Sequence, residues 1–507
     1  MKKYIYAAAF SFAVLATACK KEKNTNSEGE DDKNTPPTTG STIEKVKDSV
    51  LLYAQEDYLW NNQLPTYSEF KPRSFTGSNE LEALQNEVDA LSQYAKNPST
   101  ARAYEYNRSN PGTSKYSFID DGTTSGELGG QASGDFGFEP RFDAEGSLYI
   151  KYVYANSPAG NAGVKRGYKV TRINNRTSWN PESNSDIQFI VNSFYSSNNI
   201  KLGLQKPDGS TINIDINTAS YTINPVLAYK VFAVGNKKIG YMVFNTFTSP
   251  ANAQPKIDQA FTLFNSENIT DLIVDFRYNG GGYVATADYL CNLIVPPAKN
   301  NQVMYTYYFN QGLQDNKYTL INKSVFDGKL TAGSFKPENN QEKFSKKGSL
   351  NLGKVVFIVS GSTASASELT INTLLPHMDV KIVGETSYGK PVGFFAIPIT
   401  KYELYIPEFE TRNSAGKADY YAGMAPGSTA FPGVVAEDDV AHDFGDADEQ
   451  CTQRAINYIT TGNYLSLANQ QTKRVNAVRV LSADQTRDLG LKLERPHFKG
   501  MVTERLK

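Results

Sequence analysis

Apolar residues recur along this chain with more than one period. Near the start they fall at Ile43, Val46, Val50, Leu51, Tyr53, Ala54, Tyr58 and Leu59, close to a helical repeat, and Leu81, Leu84, Val88 and Leu91 continue it. This pattern predicts a helical N-terminal domain over residues 43–110. Residues 110–135 are rich in Gly, Ser, Thr and Asp, the composition of a loop or hinge. Strand-like alternation follows at Leu148-Tyr149-Ile150-Lys151-Tyr152-Val153. A helix over about 186–194 and strands over 200–204 and 211–216 are expected after it. Beyond residue 227 the texture changes to nearly continuous apolar runs at 239–244, 272–276, 355–359 and 380–384. Helical stretches at 251–264, 285–294 and up to Leu375 separate them. Strands without a polar face suit a sheet covered on both sides. The chain therefore reads as multidomain α/β (α+β), with chemistry expected at the strand ends. Residues 326–350, polar and lysine-rich, are expected to form an exposed excursion. Residues 466–507, with more Lys and Arg than acids near the end, are expected to form a solvated C-terminal tail.

Composition narrows the classes of function. A length of 507 residues calls for more than one domain, and a net charge of −1 gives no electrostatic case for nucleic acid. His377, His442 and His497 stand in unrelated contexts with no HExxH or CxxC, so neither a metal nor another cofactor is expected. Lys2 and Lys3 precede an apolar run over residues 7–18, too short to span a bilayer, which ends Leu15-Ala16-Thr17-Ala18-Cys19. That stretch is similar to a bacterial lipoprotein signal. The resemblance implies a signal peptide over 1–18, lipid on Cys19 and a membrane-anchored protein in the envelope of a Gram-negative bacterium. It leaves open the periplasmic or surface face of the outer membrane. Residues 19–42, rich in Lys, Glu, Asp, Asn, Pro and Thr, would be the disordered tether. Cys291 and Cys451 lie in helical contexts. Two buried free thiols are expected, and spacing alone leaves a disulfide open.

Two short stretches carry the candidate chemistry. Ser362-Thr363-Ala364-Ser365-Ala366-Ser367-Glu368 sets a serine among small residues where a strand gives way to a helix. Gly384-Glu385-Thr386-Ser387-Tyr388-Gly389-Lys390 follows the next strand. Serine and lysine so disposed can serve as nucleophile and general base. A serine at a helix start has unpaired N–H groups and the positive end of the helix dipole beside it. The glycines Gly280, Gly281 and Gly282, after another buried strand, let a further N–H approach the same point. A lysine acts as a base only when neutral, so its pKa must fall by about three units from ~10.4, which burial achieves. Each feature also has a plainer reading. Ser365 and Glu368 fit a helix capping box, the glycines a tight turn, and Lys390 an exposed loop. His377, just after Pro376, reads as a structural helix-end residue, and His442 as a surface one.

Gly134-Asp135-Phe136-Gly137-Phe138, taken with the Ser157-Pro158-Ala159, Ala162-Gly163-Val164 and Ile173-Asn174 stretches, resembles a PDZ domain. The resemblance implies such a domain over 124–224, with Phe136, Gly137 and Phe138 in the loop that receives a peptide carboxylate. Tyr168 stands where Asp is usual. Residues 43 to about 465 together resemble the carboxy-terminal processing peptidases, or tail-specific proteases. This implies a crotonase/ClpP-like α/β serine peptidase core over 228–465, with Ser365 as nucleophile and Lys390 as general base. It also implies an oxyanion hole from Ala366 and either Gly281 or Gly282, and Glu368 as the acidic residue of the serine motif. The implied substrates are unfolded or flexible polypeptides. The chain departs from the family at Phe394, where Gln is frequent, and at Gly280, where Pro is frequent. Phe394 supports an alternative, a catalytically silent PDZ-containing binding lipoprotein. A crotonase-like core that hydrolyses something other than peptides is disfavoured by the PDZ block.

Overall fold

The computed structural model describes residues 35–464, 481–495 and 498–503. The signal, Cys19, nearly all of the tether and His497 lie outside the described residues. The centre is a six-stranded sheet in the order Gly433–Val435, Asp379–Gly384, Lys354–Val359, Asp271–Asp275, Lys237–Phe244, Val226–Val234. All neighbouring pairs are parallel except the last, which is antiparallel.

The apolar runs are continuous because each strand is buried on both sides. Leu272, Val274, Val355 and Phe357 face helices Pro250–Ser266, Val284–Ile294 and Ala366–Leu374. The intervening Ile273, Val356 and Ile358 face helix Gln450–Thr461. Successive side chains point to opposite faces, so an uninterrupted hydrophobic strand feeds two cores at once.

The N-terminal helices Thr42–Asp57 and Glu80–Ser92 do not close a core of their own. Val50, Leu51, Leu84 and Val88 pack with Val392, Phe394, Ile397 and Leu404, next to a small sheet of Phe118–Asp120, Tyr402–Tyr405 and Ile397–Ile399. The middle of the chain forms a five-stranded antiparallel sheet of Phe138–Phe142, Leu148–Val153, Lys169–Ile173, Asn199–Gln205 and Thr211–Asn217, with helix Asn184–Val191 against it.

Two expectations about polar segments fail. Phe335, Phe344 and Leu350, within the stretch expected as an exposed excursion, enter the central core. The described part of the expected tail is also packed. Helix Ala483–Lys492 lies against Phe138–Phe142, and Leu481, Leu489 and Leu493 join the core of the middle domain. Strand Gly500–Val502 then pairs with Gly281–Tyr283. Charge density along the sequence is that of solvated chain, but a few well-placed leucines and one methionine are enough to bury the segment.

Candidate active site

Three loops leave the same ends of adjacent parallel strands and meet. The loop after Asp271–Asp275 leads to Gly281, the loop after Lys354–Val359 to Ser365, and the loop after Asp379–Gly384 to Lys390. They are tied together. Thr363 Oγ1 donates to Phe276 O at 2.7 Å, Ala364 N–H to Asn279 O at 2.9 Å, and Tyr388 N–H to Thr363 O at 2.9 Å.

Ser365 caps helix Ala366–Leu374 with φ 56° and ψ −103°. That is a region L-residues seldom adopt, at a cost of about 1–3 kcal/mol. The fully buried Glu368 carboxylate holds it there and joins it to the lysine loop. Glu368 Oε2 accepts from Ser365 N–H and from Lys390 N–H, each at 2.8 Å, while Oε1 accepts from Gly389 N–H at 2.7 Å and from Ser387 Oγ. Burial raises the Glu368 carboxyl, and these four donors pull it back. Gly389 has φ 85°, and a Cβ there would lie 2.5 Å from Tyr421 O, so no other residue fits at this turn.

Ser365 and Lys390 are both fully buried. Burial pushes the Lys390 amine well below its usual range, against an opposing pull from Glu105. The amine faces aromatic rings: it lies 3.7 Å from the Phe394 centroid, 5.3 Å from Tyr116 and 6.0 Å from Phe498. It donates to Lys499 O at 2.6 Å, and Ser365 Oγ donates to Val392 O at 3.4 Å. Both groups are thus turned towards main-chain carbonyls in this conformation.

The glycine loop stands beside Ala366. A Cβ on Gly281 would lie 3.1 Å from Ala366 N, and φ is 109° at Gly281 and 134° at Gly282. The Gly281 N–H, however, donates to Asn279 Oδ1 at 2.9 Å. Gly282, the other expected donor, is paired with Met501 in the parallel ladder to Gly500–Val502.

The groups around the lysine come from a part of the chain not expected at the site. Lys115 Nζ donates to Gly389 O and Tyr421 O, both at 3.0 Å, and Tyr116 Oη to Gly389 O at 2.7 Å. Burial pushes the Lys115 amine down to about 8. Glu105 accepts from Tyr58 Oη and from the N–H groups of Tyr116 and Ser117, which fixes that stretch. Lys115, Tyr116, Phe118, Tyr388, Phe498 and Lys499 line a cavity of about 710 Å³. The one hint was Lys115-Tyr116-Ser117-Phe118, aromatic residues inside an otherwise Gly/Ser-rich loop.

Other expected residues lie elsewhere. Phe136 and Phe138 are both buried in the core of the middle domain, Phe138 edge-on to Phe194 at 5.1 Å. Gly137 has φ 82°, and a Cβ there would strike Ser157 at 1.9 Å. His377 Nε2 lies 3.1 Å from Val303 O and 3.0 Å from Ser414 Oγ, and His442 Nδ1 lies 2.8 Å from Asp439, its side chain half exposed. Cys291 and Cys451 are free and buried.

The Phe394 ring occupies the place where a polar partner for the lysine was expected. A ring face stabilises the ammonium over the amine by about 0.5–2 kcal/mol. Phe394→Leu is therefore expected to lower the pKa of the Lys390 amine by about 0.4–1.5 units, at 1.36 kcal/mol per unit. A titration of that amine that is unmoved or displaced upward would refute this.

Residues 238–418 match the model of peptidase family S41. The chain is 23% identical over 248 residues to the carboxy-terminal processing protease CtpA of Bacillus subtilis, covering 49% of this chain and 45% of that protein. It is 23% identical over 296 residues to the carboxyl-terminal-processing protease of Synechocystis sp., covering 55% and 60%. The chain is similar to these carboxy-terminal processing proteases over part of its length, and it spans about half the length of the curated relatives it matches. An S41 protease candidate from Bacteroides fragilis superposes with a TM-score of 0.57 at 20% identity, over 85% of this chain and 99% of that one. That likeness is one of fold.

Proposed function

We propose that the chain is a serine endopeptidase acting through Ser365 and Lys390 on unfolded or flexible polypeptides. The observation that carries this reading is the Glu368 carboxylate, which takes the N–H of a backbone-strained serine and of a fully buried lysine on one oxygen. A structural cap needs no such lysine, and an ordinary loop lysine is not buried.

In this reading the neutral Lys390 amine takes the Ser365 hydroxyl proton as Oγ attacks the scissile carbonyl. The N–H groups of Ala366 and of Gly281 or Gly282 receive the developing oxyanion, aided by the helix start. The tetrahedral intermediate collapses, Lys390 returns the proton to the leaving amine, and water then releases the acyl group from Ser365. The amine must first leave Lys499 O, to which it donates at 2.6 Å.

The five-stranded middle domain is read as a PDZ module that takes substrate C-termini. Cys19 is read as a lipid anchor that fixes the protein to the outer membrane of a Gram-negative envelope, on its periplasmic or surface face. The engagement of Lys390 and Ser365 with carbonyls favours a second reading, a silent binding protein with the same fold.

The test is cleavage of a reduced, alkylated protein by the wild type, Ser365→Ala and Lys390→Ala. Cleavage lost in both variants is expected. Cleavage that survives Ser365→Ala overturns the assignment, and inactivity of the wild type on several such substrates supports the binding protein.

A further inference from the structure

The groove beside Ser365 is already filled by the chain itself. Strand Gly500–Val502 runs parallel to Gly281–Tyr283, with Gly500 opposite Gly281 and Val502 opposite Tyr283. Gly500 N–H donates to Gly280 O at 2.9 Å. The other edge of the strand is used as well: Phe394 N–H donates to Met501 O at 2.9 Å, and Thr503 N–H to Phe394 O at 3.1 Å. The segment is therefore an added strand between the glycine loop and the residues after Lys390, the geometry in which an extended peptide is held by main-chain hydrogen bonds.

Its carbonyls point at the catalytic groups. Lys499 O takes the hydrogen bond of Lys390 Nζ at 2.6 Å. A Cβ on Gly281 would lie 2.1 Å from Gly500 O and 3.1 Å from Ala366 N, so the Gly500 carbonyl enters the same corner as the Ala366 amide. Met501 is fully buried in the central core. Phe498 packs on Phe394 and Phe118, with centroids 6.1 and 5.9 Å apart.

The preceding residues hold the middle domain in the same way. Leu489 and Leu493 pack with Phe138, Ile187, Ile190 and Phe194, and Leu493 O accepts from Tyr195 Oη at 2.5 Å. Arg495 pairs with Asp135, beside the Phe136-Gly137-Phe138 loop, and Glu494 pairs with Lys151 at 3.2 Å. Burial works against Glu494, but Lys151 and Lys499 draw its carboxyl down to about 2. One stretch thus bridges the loop expected to bind peptides and the cleft.

We propose that residues 498–503 are an intramolecular occupant of the peptide groove, which a polypeptide substrate must displace before Lys390 can reach Ser365. This rests on the peptidase reading. It makes the segment a competitor, so it raises the apparent KM by the reciprocal of the fraction of molecules in which the groove is open and leaves kcat alone.

Two variants of the full chain test it for different reasons. In Gly500→Leu the new side chain meets the Phe498 ring, 2.4 Å from the Cβ position, and Phe394, 2.8 Å from it. In Met501→Asp a carboxylate is set in the apolar core. Each is measured for hydrolysis of reduced, alkylated casein and for hydrogen exchange at the amides of Gly282 and Phe394, which face the strand. Expected are a KM about 5- to 50-fold lower with kcat unchanged, and faster exchange at those amides. A wild type that cleaves, with variants that keep its KM or lose kcat, overturns the proposal. Unchanged exchange in both variants overturns it as well. Faster exchange with no hydrolysis by any of the proteins upholds the occupancy and removes the peptidase reading instead.

Discussion

Lys390→Met is expected to abolish hydrolysis and to raise the melting temperature of the same protein. The two effects have one cause. The amine is fully buried against Phe394, Tyr116 and Phe498, and burial holds its pKa well below the usual lysine range. A neutral amine there can take a proton from Ser365, and methionine cannot, so the rate should fall by at least ~10³-fold. Methionine keeps most of the apolar stem and suits an aromatic box. The sign of the pH effect follows from linkage. The unfolded lysine titrates near ~10.4 and the folded one lower, so between the two values the unfolded state binds more protons and wild-type stability rises with pH. The stabilisation by methionine should be greatest below the folded pKa and shrink as the pH approaches ~10. Thermal melts of both proteins at neutral pH and at about pH 9.5 measure it. A variant that melts earlier than the wild type at neutral pH, or hydrolyses within tenfold of it, would refute the role of Lys390.

The central sheet was legible because strands buried on both faces leave no polar gaps. Leu272, Ile273 and Val274 look alike in sequence, although the structure sends the first and third to one core and the second to another. The Ser365 and Lys390 loops were legible because a helix start and a glycine-flanked lysine are local features. Their meeting at Glu368 was not, since it depends on strands Lys354–Val359 and Asp379–Gly384 lying side by side. Lys115 was hidden for a related reason. It comes from a distant loop, and only the neighbouring Tyr116 and Phe118 hint at burial. In residues 481–495 and 498–503 the apolar side chains that matter are sparse among charges, so a local reading finds a solvated tail. Their burial comes from grooves made by residues 134–142 and 280–283, hundreds of positions earlier.

The charges under the site were equally invisible. Asp438 accepts from Arg277 Nη1 at 3.0 Å and Arg166 Nη2 at 2.8 Å, pairs with Arg141 Nε at 3.1 Å, and also accepts from Tyr278 Oη. Arg141 and Arg166 belong to the middle domain, whereas Arg277 follows the core strand Asp271–Asp275 and also binds Asp275 and Glu449. One carboxylate therefore joins the two domains directly below the glycine loop. Burial alone would raise its pKa, but Arg166, Arg141 and Arg277 outweigh that and hold it far below the usual carboxylate range. Asp438→Asn keeps the shape and removes the charge, which leaves buried guanidinium groups under-neutralised. Breaking such a network from one side costs about 3–5 kcal/mol. A depressed folded pKa gives stability that is present above the unfolded value near ~3.9 and lost only as pH falls towards the folded one. The deficit of the variant should thus be the same at pH 5 and pH 8 and shrink only in strong acid. Urea unfolding at these pH values measures it. A loss under ~1 kcal/mol at pH 7 would mean that the arginines are satisfied without Asp438 and that the joint lies elsewhere. A loss of the expected size, with proteolytic nicking appearing between the domains before global unfolding, would make this carboxylate the hinge pin on which the middle domain is held against the cleft.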